Sequence, residues 1–271
     1  MTSKIPTSET TNPSTGSCSL RSSSAPSQLT AHPSSSPASI PSDLNLWEKR
    51  LRLTNQILGP LSLILIITAL AFALVIAPEE KLMGAVQRIF YFHVGSAFAC
   101  YIAFAGVFCS SLIYLWRRHL ITDILNETFA EVGFVFCSIT LITGMIWGDA
   151  AWNTPFRWEP RLVTFLFLWL IFLGFQILRR FGSDELKQNH SSILGILGSL
   201  MVPLVWYSIK LLPATAQLHP QVIDNQGLRS PLFIWAMLTA IVALVIFELF
   251  LIVLRLRIGL AEITLKRNDY N

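Results

Sequence analysis

Long apolar runs separated by short polar or aromatic stretches set the rhythm of this chain. Six of them, at about 57–77, 85–116, 129–148, 162–178, 192–212 and 231–254, stand out by hydropathy. As helices, runs of about twenty apolar residues are long enough to cross a hydrocarbon layer of roughly 30 Å. The pattern predicts an all-α, polytopic membrane protein with six transmembrane helices. The second run is longer than a bilayer needs, so its first turns should stand in the interface or tilt.

Residues outside the runs divide the chain further. Residues 1–45 are rich in Ser, Thr and Pro with almost no aromatics, a composition that buries too little apolar surface to order itself, and are read as a disordered tail. The tail has no apolar h-region of a cleaved secretory signal. A basic amphipathic segment, 46–56, carries Lys49, Arg50 and Arg52; the membrane domain spans 57–254, and a basic tail covers 255–271.

Composition agrees with the pattern: 53% of residues are hydrophobic and 13% are charged. The net charge of +4 comes from Lys and Arg beside the runs, so it speaks to orientation and anionic lipid, not nucleic acid. One set of flanks holds Lys49, Arg50, Arg52, Arg117, Arg118, Arg179, Arg180, Lys187, Arg255, Arg257, Lys266 and Arg267. The other holds only Lys81, Arg88, Arg157, Arg161, Lys210 and Arg229. This bias predicts that both termini are cytoplasmic and that loops 78–84, 149–161 and 213–230 lie outside. Four cysteines, Cys18, Cys100, Cys109 and Cys137, show neither CxxC nor zinc-ligand spacing. The last three fall in apolar runs and read as small core residues.

The chemistry concentrates on the outer side. The stretch WGDAAWNTPFRWEPR, Trp147 to Arg161, places three tryptophans, a phenylalanine, two acids and two arginines between two apolar runs. The predicted topology brings His93 and His219 to the same face, whereas His119 and His190 fall on the other and His32 in the tail. Two histidines without a cysteine or carboxylate cluster make a poor zinc site, which usually wants three or four protein ligands. They suit haem, because a porphyrin occupies four iron positions and leaves two axial ones. Trp147, Trp152, Phe156 and Trp158 are suited to cover the ring, and Arg88, Arg157 or Arg161 to pair with the propionates. Each element also has a plainer reading. Interfacial tryptophans are ordinarily membrane anchors, either histidine alone could be a helix-end or loop residue, and Arg161 could simply snorkel.

Three ordered motifs carry a family resemblance covering about 50–260. QRIFYFHVGSAFACY, Gln87 to Tyr101, resembles the histidine-bearing second helix of the CcmC family of cytochrome c maturation proteins. Trp147, Gly148, Trp152, Thr154, Trp158, Arg161 and Leu162 match that family's tryptophan-rich "WWD" loop without a gap, and LHPQVI, Leu218 to Ile223, resembles the segment with its second histidine. Glu159 stands where the family usually has Asp, and Pro155-Phe156 replaces further aromatics. The resemblance implies a bacterial inner-membrane carrier, not an enzyme. It would hold haem transiently as bis-His iron through His93 and His219 on the periplasmic side, above a platform of Trp147, Trp152 and Trp158. It also implies a CcmE-like haem chaperone and a CcmA–CcmB-like ABC transporter as partners. ATP hydrolysis would belong to the transporter, since no P-loop occurs here. Within the same superfamily, a small CcsA-like subunit of a cytochrome c synthetase is the alternative.

Overall fold

A computed structural model describes residues 42–80, 84–210 and 230–269. Its helices are α1 (Ser42–Ala71), α2 (Gln87–Arg117), α3 (Leu120–Trp152), α4 (Pro160–Phe181), α5 (Asp184–Ser199), α6 (Met201–Tyr207) and α7 (Pro231–Asp269). Among the described residues there is no strand, only an isolated bridge between Glu80 and Gly84. Six helices are long and apolar enough to cross a membrane: Leu46–Ile76, Gln87–Arg117, Leu120–Trp152, Pro160–Phe181, Lys187–Tyr207 and Pro231–Leu265. The protein is therefore an all-α, multi-pass membrane protein with one helix for each apolar run.

The helices depart from the runs in ways hydropathy does not register. The basic segment at 46–56 and the first run share one helix, α1, which ends in a π-helical turn at Phe72–Ile76. The fifth crossing is broken between Ser199 and Met201. Pro203 has no N–H to give the Ser199 carbonyl, so the ladder is interrupted there. The third helix is longest relative to its run. Its 33 residues extend about 50 Å at 1.5 Å per residue, and it ends only at Trp152. Asn153, with φ of 54°, takes the left-handed conformation and stops it.

Packing arranges these helices around two buried clusters. One joins α2, α3 and α4, where Phe104 stacks on Phe172 with ring centres 3.6 Å apart. The other joins α1, α2 and α7 through Ala69, Ala73, Tyr91, Phe233, Ala236 and Ala240. Small residues let α2 and α3 approach closely: a Cβ added to Gly133 would stand 2.8 Å from the Ala103 methyl, and one on Gly106 would stand 2.5 Å from the Phe129 ring. Many side chains on the far sides of these helices, such as Ile64, Ile67, Val135, Ile142 and Phe167, are exposed and apolar, as a lipid-facing surface requires.

Where α3 begins, the bundle is tied by charge. Arg179 of α4 is buried and donates through its two terminal nitrogens to Asp123 Oδ1 at 2.6 Å and Oδ2 at 3.1 Å, and also to Glu127 at 2.5 Å. Arg255 of α7 donates to both oxygens of Glu131, one turn further along α3. Nearby, Ser111 donates to Asn126 Oδ1 at 3.1 Å, and Asn126 donates to Ser192 at 3.2 Å, linking α2, α3 and α5. Charges in an apolar medium are tolerated when paired and hydrogen-bonded, and these are.

Candidate functional site

The other end of the bundle gathers the start of α2, the last turns of α3 and the head of α4. His93 lies on the α2 face that packs on α3. Its Nδ1 is 3.1 Å from the Thr140 carbonyl and 3.2 Å from the Thr143 hydroxyl. A carbonyl only accepts, so Nδ1 carries the proton and donates it. The Thr143 hydroxyl spends its own hydrogen on the Ile139 carbonyl at 2.7 Å, which leaves its oxygen free to share the imidazole proton. The tautomer is therefore set, and Nε2 keeps its lone pair. A hydrogen bond from the far ring nitrogen to a carbonyl is what commonly orients a metal-ligating histidine. Gly144 makes room for the ring, since a Cβ there would stand 3.0 Å from His93 Cε1. Ser96 supports the same turn, donating to the His93 carbonyl at 3.0 Å and meeting the Thr140 hydroxyl at 3.0 Å.

One turn beyond Thr143 on α3 stands Trp147. It is 9% exposed, and its indole Nε1–H finds no acceptor among the described residues. Trp152 packs edge-on against it with ring centres 5.1 Å apart. Gly148 permits this, because a Cβ there would come within 3.3 Å of the Trp152 ring. The first half of the tryptophan-rich stretch is thus helical, and only Asn153–Glu159 is irregular. In that second half Thr154 donates to the Phe156 carbonyl at 3.1 Å, and Phe156 meets Trp158 edge-on at 5.5 Å. Trp158 is 83% exposed and Arg157 is exposed beside it, whereas Glu159 is buried as it enters α4 at Pro160.

The sequence-based candidates therefore fall into groups. His93, Trp147 and Trp152 share the end of α3, and Arg161 in the first turn of α4 lies within electrostatic reach of both His93 and Tyr101. Trp158 and Arg157 belong to the exposed rim. Arg88 is five residues before His93, about 140° around α2, and pairs with Glu79 at 3.7 Å. His219 lies outside the described residues. Sequence reasoning missed Thr140 and Thr143, the groups that orient His93. Their only trace is a run of hydroxyl residues, Ser138, Thr140 and Thr143, inside an apolar span.

Among the described residues no group of three or more His, Cys, Asp or Glu is placed to hold a metal ion, so a bare ion finds no cage there. A ligand-ready imidazole one turn below a buried, unpaired indole N–H instead suits a metal that brings its own planar ring. Fold and site together define a multi-pass helical membrane protein whose described residues gather a histidine and a tryptophan pair at one end of the bundle. The family model for heme exporter protein C, CcmC, matches residues 42–270, and the chain belongs to that family. It is 33% identical to heme exporter protein C of Paracoccus denitrificans over 135 residues, covering 49% of this chain and 56% of the relative. A putative cytochrome c biosynthesis ccmC-like mitochondrial protein of Marchantia polymorpha is 31% identical over 145 residues, covering 53% and 61%. Heme exporter protein C of Escherichia coli K12 is 29% identical over 200 residues, covering 70% and 81%. The chain thus aligns with little more than half the length of the first two relatives, and with most of the third.

Proposed function

We propose that this chain binds haem as cargo at the His93 end of the bundle and hands it on during cytochrome c maturation. The observation that carries the reading is the His93 imidazole, whose Nδ1–H is committed to the Thr140 carbonyl so that Nε2 serves as the iron ligand. Membership of the heme exporter protein C family supports it. His219, brought by the segment before α7, supplies the second axial nitrogen. Trp147 and Trp152 line the ring's approach, Trp158 forms an exposed outer rim, and Arg161 is the best placed of Arg88, Arg157 and Arg161 to meet a propionate. The chain performs no bond-making step: it orients the ring, shields part of it from water and leaves an edge for the receiver. A periplasmic CcmE-like chaperone is that receiver, and a CcmA–CcmB-like ABC transporter supplies ATP hydrolysis. The site end faces the periplasm of a bacterial inner membrane, as the Lys and Arg bias directs.

An absorption spectrum of the purified protein, beside His93→Ala and His219→Ala, tests this reading. Wild type should show a low-spin haem spectrum, and each variant should lose intensity or turn high-spin. A folded wild type that takes up no haem, or variants with unchanged spectra, would overturn the proposed ligation.

A further inference from the structure

The break in the fifth crossing opens a hollow on the flank of the bundle. Before the break, α5 packs against both α2 and α4; beyond it, α6 stays on α4 while its backbone parts from α2. The last tight contacts with α2 lie just before the break. A Cβ added to Gly195 would stand 2.8 Å from a Val107 methyl, and the Ser199 hydroxyl donates to the Phe104 carbonyl at 2.8 Å. Beyond them Trp206 reaches across, edge-on to Phe98 at 6.2 Å and to Tyr101 at 6.4 Å. Below that indole lies a groove of about 360 Å³ with apolar walls, lined by Phe98, Tyr101, Ala105, Val202, Pro203 and Trp206. From Ala105 to Phe98 it follows α2 for about 10 Å, between helix faces that expose Ile102, Leu200 and Leu204. At the end nearer His93 it meets Tyr207, and the exposed Lys210 holds its ammonium 5.9 Å from the centre of that ring.

We propose that this groove holds one anionic phospholipid, with an acyl chain lying between α2 and α6 and its phosphate beside Lys210. The groove opens sideways between two helices that are long and apolar enough to cross the membrane, so it faces hydrocarbon and not water. An acyl chain is a slender rod without polar atoms, and the groove's walls ask for none. Left unfilled, those walls would forfeit the dispersion contacts that packed neighbours supply. A helix, about 10 Å across, is too broad for a slot that a single indole bridges. Trp206 and Tyr207 stand at the mouth, as amphipathic rings do at headgroup level, and Lys210 beside them adds the positive charge that favours an anionic headgroup. The lipid takes the place of the α2 contact that α6 gives up after the break, and so braces the last part of the fifth crossing. The inference stands independently of whether haem binds.

The test uses the full chain in nanodiscs containing phosphatidylglycerol with a photoreactive diazirine in its acyl chain, followed by peptide mapping. Native mass spectrometry of the detergent-extracted protein counts the lipids it retains. Wild type should keep one phosphatidylglycerol and cross-link at 98–105 and 202–207. Ala105→Phe fills the groove from an exposed position, so it should abolish both signals while the thermal midpoint, measured alongside, holds. Lys210→Gln should keep the cross-links but lower the preference for phosphatidylglycerol over phosphatidylcholine by about fivefold, the scale of one basic residue at a membrane surface. Cross-links no stronger than those at the lipid-facing Val135 and Phe167, or unchanged in Ala105→Phe, would mean ordinary bulk lipid and overturn the site. Equal retention of the two lipids by wild type would overturn the headgroup pairing. A wild-type dimer that Ala105→Phe renders monomeric would give the groove to a second copy of the chain and overturn the proposal.

Discussion

His93 is held by two acceptors of different kinds, and they can be separated by mutation. Thr143→Val keeps the Thr140 carbonyl bond and removes the shared hydroxyl. Losing an outer-shell partner commonly costs about 10–100-fold in metal affinity; with one acceptor retained, about tenfold weaker haem binding is expected by spectroscopic titration. A variant that binds as tightly as wild type would show that the carbonyl alone orients the ring. Trp147→Phe asks a different question, since it keeps an aromatic surface but removes the unpaired N–H together with part of the ring. A neutral hydrogen bond contributes about 0.5–1.5 kcal/mol, so a loss of roughly threefold to tenfold or more in affinity is expected by spectroscopic titration, and no loss would mean that the indole neither donates to the cargo nor packs on it. The histidine and the tryptophans were legible in the sequence because such residues are rare between apolar runs. Thr140 and Thr143 were not, since a threonine inside a membrane helix usually bonds its own preceding turn. Both do so here, Thr140 to the Phe136 carbonyl and Thr143 to that of Ile139, while also serving His93.

Helices were legible as crossings and not as packed objects. Length and apolarity find six spans because each must match the bilayer, but they are silent about where a helix continues beyond it. Thus α3 runs on to Trp152 and turns half of the expected loop into helix. The spans were also silent about contact. Gly133 looks like any glycine in an apolar run, yet the Ala103 methyl and the Phe104 ring occupy the space its Cβ would need, both at 2.8 Å. Gly133→Ala should therefore overpack the α2–α3 contact. Such overpacking costs about 1–3 kcal/mol, visible as a lower thermal midpoint in detergent. An unchanged midpoint would mean that the helix pair yields freely at this point.

At the scale of the molecule, charge acts at both ends in different ways. Arg179 was counted from the sequence as a flank that sets topology, but the structure buries it between Asp123 and Glu127. Arg179→Met strips Asp123 of its partner and leaves Glu127 only the more distant Arg255 at 3.9 Å, and breaking a buried pair from one side costs about 3–5 kcal/mol. The double variant Arg179→Met with Asp123→Leu should recover part of that loss in an unfolding assay; no recovery would argue against a paired desolvation cost. Arg255 is likewise engaged by Glu131, although the orientation bias persists in the remaining flanks. At the other end the relevant charge is a proton. Imidazole binds iron through a lone pair that protonation removes, so under the proposed ligation haem occupancy should fall on acidification. Occupancy that does not change with pH down to the point where the protein itself unfolds would count against histidine ligation.

The extension of α3 to Trp152 also bears on the kinetics of capture and release. Two of the three tryptophans are part of a continuous hydrogen-bonded rod, packed on each other and on Gly148, so under the proposed function a visiting ring would find them already ordered and cost little rotamer freedom on arrival. Past Asn153 the helix ends, and Trp158 stands almost wholly in the open. Under the proposed carrier function, residence time would be set mainly by the packed helical half, and the exposed half would be the part a receiving partner meets first.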